Sequence, residues 1–457
     1  MADVKFVHPE YAAALPYWML TIDAASDYGV EKKADKYLAA GAAKKVAANY
    51  PEFKQRAIFL GVTGRTRSTL VGAANNKPAK FDGDLPSQLE YFTSDFDGQG
   101  IGIDQFALRL VFDILTTGRR GSIVEYPAVE GELSKEQEDA IGAHPYSRSY
   151  NALSVINWNE TINGVDMVVV KEQEYKPLDN SRFEKELVDT YKSFTLVDGV
   201  YTVEDWNESG ELVGEAITPK IRRETQSFVP FYFTGSEDNK TCIDSIPLYS
   251  IAKTNIGHFR NSASYEENLY NYASATLVVM SSMQEDDFKN SNPGGLIVGA
   301  GNGVKLEQGD KAELLQVEAA TGVSEAMKQK IVDMVAIGAS MITQAGANET
   351  AEAARIAASG EKSVVLTIID NCEDTINAMI EQHAKYYGIE NPPKYVMNRL
   401  LFDSTLSAQD IMAINVLYDA GHIAKSDVRS NLKTSGILDA DRSDKDIDSE
   451  NMSNSPV

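Results

Sequence analysis

The sequence is poor in cysteine, in long apolar runs and in histidine. Its 457 residues include only two cysteines, Cys242 and Cys372, which excludes a disulfide framework and a cysteine-rich metal site. No run approaches the roughly 18 apolar residues of a transmembrane helix, and the opening MADVKFVHPE lacks the apolar stretch of a signal peptide. We therefore expect a chain that works in a reducing compartment and neither spans a membrane nor is secreted.

Common catalytic and nucleotide-binding motifs are also missing. Neither H-E-x-x-H nor G-x-S-x-G occurs, and the five histidines lie far apart in the sequence. The glycines of GLIVGAGNG at 295–303 miss the G-x-G-x-x-G spacing, and SGEKS at 359–363 lacks the glycine spacing of a phosphate-binding loop. We predict no catalytic residue, no cofactor and no metal site, and we interpret a single histidine such as His383 as a packing residue.

Positive charge is scarce and unevenly distributed. The chain has 43 basic and 67 acidic residues. Its net charge of −24 argues against a protein that binds nucleic acid by neutralising phosphates. Between residues 44 and 80, however, eight basic residues occur with the single acid Glu52. This stretch either forms a solvated face or docks on the acidic surface of another copy or on a polyanion. Its candidate contact residues are Arg56, Arg65, Arg67 and Lys77.

Hydrophobic periodicity in the first half predicts the α+β class. From Asp104, a possible N-cap, apolar residues recur every three or four positions up to Gly118, which can end the helix. Residues 122–126 then predict a strand. Farther along, β-branched stretches surround the pair Asp198 and Gly199, which is typical of a type I′ hairpin.

Long helices are predicted after residue 246. The segment 247–273 has a thin apolar stripe, which favours packing against polar helices of neighbouring copies over burial in an ordinary core. Residues 276–306 are rich in β patterns, and 324–343 are helical again. A very long helix is predicted over 350–387, with a possible kink at Gly360.

Two shorter helices are predicted near the C-terminus, at 407–420 and 426–434. The tail DADRSDKDIDSENMSNSPV that follows is acidic and contains few apolar residues. We therefore expect the tail to be loosely structured.

Four blocks of the sequence, together with the order of its parts, carry a resemblance to a known family. They are LRLVFDILTTGRRGSIVEYP at 108–127, HPYSRSYNALSVINW at 144–158, LYSIAKTNIGHFRNSASYEENLYNYASATLVV at 248–279 and LSAQDIMAINVLYDAGHIAKSDVRSNLKTSGIL at 406–438. In this order they resemble the portal (head-to-tail connector) proteins of tailed double-stranded DNA bacteriophages. The similarity covers roughly residues 45–440, and the acidic segment 128–143 and the C-terminal tail depart from it. None of the similar motifs is catalytic.

The resemblance implies a division of the chain into the parts of a portal subunit. These are a wing formed by the α+β body at 1–245, a first stem helix at 246–274, a clip at 275–321, a second stem helix at 322–343, a tunnel loop at 344–350, a long wing helix at 351–400, and a crown with the acidic tail at 401–457.

It also implies a function and a set of partners. Copies of the chain, usually twelve, would form a ring around a channel at one vertex of the capsid, through which double-stranded DNA is packaged and ejected. Expected partners are the terminase large subunit, the major capsid or scaffolding protein, and the neck adaptor and tail proteins. Such a protein is a structural component of the virion; it is not an enzyme and binds no membrane.

Three groups of site residues follow from the resemblance. Gln344, Asn348 and Glu349 would line the narrowest point of the channel, where a wall without basic residues lets DNA slide. The clip residues Gln284, Glu285, Asp286, Asp287 and Lys289 would contact the terminase and later an adaptor. The basic residues between 44 and 80 would lie at the subunit interface or near DNA. An ordinary solvent-exposed loop stays open as the alternative for the first two groups.

Two other classes of protein stay open. A neck adaptor or head-completion protein would share the acidity and the ring symmetry, but such chains are usually shorter and lack two helices flanking a β insert. An intracellular enzyme of unknown chemistry would need a pocket of convergent polar groups. A ring with an axial hole in electron micrographs favours the portal.

Overall fold

The structure is a computed structural model in which helices are combined with antiparallel sheets, as the α+β class requires. The ring and its division into wing, stem, clip and crown stay predictions. The residues that the structure describes are 3–38, 50–126, 144–162, 164–178, 182–222, 224–273, 276–293, 306–315, 321–341, 363–401, 408–434, 437–438 and 442–453.

Helices are distributed along the whole chain, and the longest of them follow residue 248. Their bounds are α1 Pro9–Ala25, α2 Gly29–Lys32, α3 Ala34–Tyr37, α4 Tyr50–Arg56, α5 Val62–Ala74, a 3₁₀ helix at Ser87–Thr93, α6 Ile103–Thr117, α7 Tyr249–Ala273, α8 Glu285–Ser291, α9 Thr321–Ser340, α10 Val364–Tyr387, α11 Ala408–Asp419, α12 Lys425–Thr434 and α13 Asp444–Ser453.

Strands pair only with antiparallel neighbours in the described part of the chain. The largest sheet has the order β4-β5-β6-β7-β8, and the others are β11-β2-β3, β12-β13, β1-β14 and β9-β10. The strand bounds are β1 Lys80–Asp82, β2 Arg119–Glu125, β3 Tyr146–Asn151, β4 Val155–Thr161, β5 Gly164–Pro177, β6 Lys185–Val197, β7 Val200–Trp206, β8 Leu212–Ile217, β9 Lys220–Ile221, β10 Glu224–Thr225, β11 Phe231–Gly235, β12 Thr276–Met280, β13 Lys311–Leu315 and β14 Lys394–Val396.

The helix predicted after Asp104 is present as α6, but Asp104 does not cap it. Gly102 occupies the N-cap without a side-chain hydrogen bond, and the Asp104 carboxylate instead accepts a hydrogen bond of 2.6 Å from the Tyr395 hydroxyl. Tyr395, which is far from Asp104 in the sequence, therefore binds the carboxylate that the local pattern had assigned to the N-cap of α6. Gly118 does end the helix, with φ of 72°, and its N–H donates to the Ile114 carbonyl.

Replacing Gly118 by alanine is expected to lower the free energy of unfolding by about 2 kcal/mol. The left-handed backbone at this position disfavours any Cβ, and a Cβ atom would lie 2.6 Å from the Ser245 carbonyl oxygen. Urea unfolding followed by circular dichroism measures the change. The matched control is Gly72→Ala in α5, where a Cβ meets nothing within 4 Å and alanine favours the helix. Equal stability of the two variants would contradict the expectation.

The predicted hairpin at Asp198 and Gly199 joins β6 to β7. Both residues have positive φ, 50° and 77°, which is the backbone of a type I′ turn. The turn sets the register Val197 to Val200 and so aligns the two strands through the pair Tyr191 and Trp206. This prediction is confirmed.

Three clusters of buried apolar residues hold the described part of the chain together. The first lies between α5, the 3₁₀ helix, α6 and α10, and includes Phe106 and Ile376. The second joins Trp18 of α1 to the inner faces of the sheets, including Phe231. The third packs the C-terminal end of α1 and the segment after it against α7, around Phe259. Helix α7 is thus part of a core within the subunit.

The helix predicted over 350–387 begins later than expected. Ser363 is its N-cap: its backbone is extended, and its hydroxyl accepts a hydrogen bond of 3.2 Å from the Leu366 N–H. An extended N-cap residue prevents one helix from running through position 363, so the predicted continuous helix is wrong there. Gly360 and the rest of 342–362 lie outside the described residues.

The tail predicted to be loose contains a helix, α13. Its acidic residues meet the basic face of α12, where the Arg429 guanidinium pairs with Asp448 and the Lys433 ammonium lies 3.0 Å from Asp444. The Ser443 hydroxyl also accepts a hydrogen bond from the Asp446 N–H. Composition alone missed this helix because its partners are charges on another helix.

Candidate functional site

Helices α7 and α9 form an antiparallel pair joined through a β-hairpin. A Cβ atom at Gly257 would lie 3.3 Å from Lys330 Cε, and one at Gly338 would lie 3.9 Å from Ile251 Cδ1. Contact positions thus rise along one helix as they fall along the other. Strands β12 and β13 pair beyond the helix ends, from Thr276 with Leu315 to Met280 with Lys311. We call α7, the hairpin and α9 the helical hairpin unit.

Polar residues in the first half of α7 are buried inside the subunit. Asn255 is completely buried, and its amide donates a hydrogen bond of 3.1 Å to the Thr63 hydroxyl. The Ser262 hydroxyl donates to the Ile58 carbonyl at 2.8 Å and accepts from the Ile58 N–H at 3.0 Å. The sequence interpretation placed such residues against neighbouring copies, and for Asn255 it is wrong because α5 supplies the polar partner.

Only a narrow side of α9 is buried against the rest of the subunit. Met334 and Gly338 are buried, and Gly338 faces Thr66 and Ile251. The small residue at 338 therefore allows close packing within the subunit.

The side of α9 next to this buried stripe exposes large apolar residues. Ile331, Val332 and Val335 are 37%, 59% and 63% exposed, and on a helix they lie within an arc of about 100°. We call these three residues the α9 outer face. Exposed apolar residues that cluster on one helix mark an interaction surface more often than isolated ones do. The α9 outer face is therefore a candidate contact surface.

The predicted clip residues lie at the end of the hairpin, on the short helix α8. Gln284 is its N-cap, and Glu285, Asp286 and Asp287 form an exposed first turn, where negative charge is favourable beside the helix N-terminus. The Lys289 ammonium lies 2.6 Å from Glu285, with both side chains exposed. The five residues are thus brought together on one exposed element.

The sequence interpretation missed Asp310, which closes the base of this loop. Its carboxylate accepts hydrogen bonds from the Ser281 hydroxyl at 2.5 Å and from the backbone N–H groups of Ser282, at 2.9 Å, and Glu307, at 3.1 Å. These bonds, the one from Ser281 first, lower the pKa of Asp310 below its ordinary value. An aspartate next to a turn glycine was the only local signal that could have indicated it.

The four basic candidate residues do not form one shared face. Arg56 pairs with Glu267 and lies 4.4 Å from the centre of the Tyr270 ring, both on α7. Arg67 donates to the Ala25 carbonyl at 2.9 Å and stacks on Phe112. These two arginines stabilise the subunit.

The other two basic candidates are placed differently. Arg65 is exposed on α5. Lys77 is half-buried beside Asp104 and Tyr395 in a narrow cleft. A charge change at Arg65 alone therefore tests an interface role without disturbing the fold.

The predicted tunnel loop lies outside the described part of the chain. This applies to all three of its candidate residues, Gln344, Asn348 and Glu349.

The structure brings the Ser147 hydroxyl close to the His383 imidazole, a pair that could suggest a catalytic site, but both groups lie in the core. His383 Nε2 lies 2.8 Å from the Ser147 hydroxyl oxygen, and Nδ1 lies 2.7 Å from the Tyr91 hydroxyl oxygen. Both Ser147 and His383 are completely buried. Burial, and to a smaller degree the nearby His144, lowers the pKa of His383 to about 3, so the ring is neutral. No substrate could reach this network, which ties β3 and the 3₁₀ helix to α10.

A cleft of about 730 Å³ lies between α1, α6 and the strands β3 and β5. Four basic side chains line it, but each has an acidic partner in the same subunit. Arg109 lies 3.8 Å from Asp97, Arg120 pairs with Asp113, Arg148 lies 3.4 Å from Glu125, and Lys171 lies 2.6 Å from Asp189. The cleft therefore presents little unbalanced charge to an anionic ligand.

Within the described ranges, no three His, Cys, Asp or Glu side chains are grouped to hold a metal ion. None of the described helices is long and apolar enough to cross a bilayer. Cys242 is exposed, Cys372 is buried, and both are free thiols.

Comparison with known proteins gives a family match and matches to solved structures. A family model described as a domain of unknown function, DUF4055, matches residues 247–387, which include the helical hairpin unit and α10. This is less than half of the chain. No curated protein matches the sequence.

One of the matching solved structures is described as the neck of a native GTA particle computed with C12 symmetry. It is 13% identical in sequence, and the match covers 81% of this chain and 89% of that chain, with a TM-score of 0.40. We draw nothing on function from a similarity at this level.

Proposed function

We propose that this chain is a structural subunit that assembles with copies of itself into a ring, and that the ring is the portal of a tailed phage particle. The ring would stand at one capsid vertex and pass double-stranded DNA during packaging and ejection. The observation that carries the proposal is the helical hairpin unit with its exposed α9 outer face. The four sequence blocks that resemble portal proteins support the same proposal.

The physical argument concerns what each helix leaves exposed. Helix α7 is covered by its own subunit through its first half, whereas α9 buries only one narrow side and exposes Ile331, Val332 and Val335. A subunit with one such face, whose complement lies elsewhere on the molecule, forms a head-to-tail contact that closes into a ring when the rotation permits. We infer that the α9 outer face contacts the neighbouring copy.

Roles for the remaining predicted residues belong to this proposal. Gln344, Asn348 and Glu349 would line the narrowest point of the channel, because a wall without basic side chains adds little friction to a moving polyanion. The acidic turn of α8, at the exposed end of the helical hairpin unit, would contact the terminase large subunit and afterwards a neck adaptor. Capsid or scaffolding protein would contact the outside of the ring.

Electron microscopy of the purified chain tests the proposal. Negatively stained particles are expected to be rings of about twelve copies with an axial hole, a symmetry that class averages measure directly. A chain that is monomeric or dimeric at all concentrations and salt conditions would overturn it. A ring that binds tail components but no terminase would instead indicate a neck adaptor.

A further inference from the structure

Helix α12 carries three basic residues on one side. Lys425, Arg429 and Lys433 follow one another at intervals of four positions, so on a helix they lie within an arc of about 80° and span about 12 Å. The only acidic residue of α12 is Asp427, whereas the whole chain has a net charge of −24. We call Lys425, Arg429 and Lys433 the basic row. It is a local positive surface on an acidic protein.

Acidic residues of α13 occupy the whole basic row. The Lys425 ammonium lies 2.6 Å from Asp448 Oδ1, and the Arg429 guanidinium donates to both carboxylate oxygens of Asp448. The Lys433 ammonium lies 3.0 Å from Asp444 Oδ1. The bonds from Arg429 and then Lys425 hold the pKa of Asp448 well below its ordinary value, so this carboxylate is ionised. Each cation of the row therefore has an anionic partner on α13.

The contact between the two helices depends on charge more than on apolar burial. Between residues 442 and 450 the sequence has a single apolar residue, Ile447, which is buried. The side chains of Lys425, Asp444 and Asp448 stay 54%, 44% and 42% exposed in their ion pairs. Ion pairs as exposed as these contribute little to stability and are screened by salt. Another anion of higher charge density can therefore replace α13 on the basic row.

A nucleic-acid backbone is the anion that the basic row fits. Helix α13 presents Asp444 and Asp448 one helical turn apart, and a DNA strand likewise presents anionic groups at regular intervals along a line. Lysine and arginine are the side chains that most often contact phosphates. A small anion would meet one cation of the row, whereas a duplex lying along α12 meets all three. The carboxylates of α13 thus stand where phosphates would bind.

We propose that α13 is an acidic strap that competes with double-stranded DNA for the basic row of α12. With the strap in place the row is neutralised, and a duplex slides past it with little friction. With the strap displaced, α12 holds the DNA backbone without reading its sequence. This inference deepens the proposed function, on which it rests, because it names a part of the subunit that switches between passing DNA and holding it.

DNA binding by full-length variants tests the competition. Asp448→Asn removes the carboxylate that meets two cations of the row. The matched control is Asp446→Asn, which removes the same charge from an exposed residue of the same helix, where the carboxylate accepts a hydrogen bond from the Ser443 hydroxyl. Fluorescence anisotropy with a labelled duplex of about 20 base pairs should show about tenfold tighter binding for Asp448→Asn than for the control at low salt. The slope of log affinity against log salt should steepen by about 2, because two cations are freed.

A second substitution identifies the cations that bind the duplex. Lys425→Gln, added to Asp448→Asn, should reduce the salt slope by about 1. Equal binding by Asp448→Asn and Asp446→Asn would overturn the inference, even where electron micrographs show rings and the proposed function stands. A polyglutamate peptide that binds Asp448→Asn as tightly as the duplex would also overturn it, since the partner would then be an acidic protein. Tighter DNA binding by a chain that forms no rings would support the strap and count against the ring.

Discussion

Replacing Val335 by aspartate is expected to abolish ring assembly while the subunit stays folded. Val335 is 63% exposed in the single subunit, so a carboxylate there is solvated and costs the fold little. In a contact between copies the same carboxylate would be buried without a partner, which costs several kcal/mol. Because about 1.4 kcal/mol corresponds to a factor of ten, the fraction of assembled subunits should fall more than tenfold.

Light scattering after size-exclusion chromatography measures that fraction, and circular dichroism checks the fold. The matched control is Ser340→Asp, which adds the same charge at an exposed residue of the same helix. Residue 340 lies about 140° around the helix axis from Val335 and about 80° from Val332, the nearest residue of the α9 outer face. Normal rings from the Val335 variant would contradict an interface on this face.

Replacing His383 by phenylalanine is expected to lower the free energy of unfolding at pH 7 by about 2 to 5 kcal/mol. The change leaves the buried hydroxyls of Tyr91 and Ser147 without their ring-nitrogen partners, and each such loss costs about 1 to 3 kcal/mol. Urea titrations at fixed pH give the value. The control is His422→Gln, an exposed histidine whose replacement should change stability by less than 0.5 kcal/mol, about the size of surface effects.

The same variant should also respond differently to acid. His383 has a folded pKa of about 3, below its ordinary value of 6.5, so the unfolded chain binds the proton more readily. The stability contributed by the neutral ring is complete above pH 6.5 and is lost as the pH falls toward 3, by about 1.4 kcal/mol per unit. The phenylalanine variant has no group at this position that binds a proton, so its free energy of unfolding should fall less steeply between pH 6 and 4. Parallel curves for variant and parent would contradict the buried neutral ring.

Local patterns predicted the elements whose causes are local. The α6 helix follows from apolar spacing, its end follows from Gly118, and the β6-β7 turn follows from two residues that tolerate positive φ. The order of helices around the β12 strand was also recognisable, because the period of apolar residues changes there. These features depend on side chains and backbone angles a few positions apart.

Features that depend on distant partners were not predictable in the same way. Nothing near Asn255 indicates Thr63, and nothing near Asp104 indicates Tyr395, so one residue was assigned to a neighbouring copy and the other to a helix cap. The helix at the C-terminus was missed because Arg429, which pairs with it, lies on another helix. In each case the partner is a polar group brought close only by folding.

The sequence alone determined the α+β class, the strong acidity, the lack of common catalytic motifs and the succession of helix, β insert and helix. Each of these features depends on composition or on the spacing of residues a few positions apart. Neither property depends on how the chain packs. The tertiary structure decided which faces of α7 and α9 are buried, that His383 meets Ser147 and Tyr91, and that the edge strand β8 is exposed. Burial and contact depend on how segments far apart in the chain are arranged, because every partner is selected by the packing of the whole subunit.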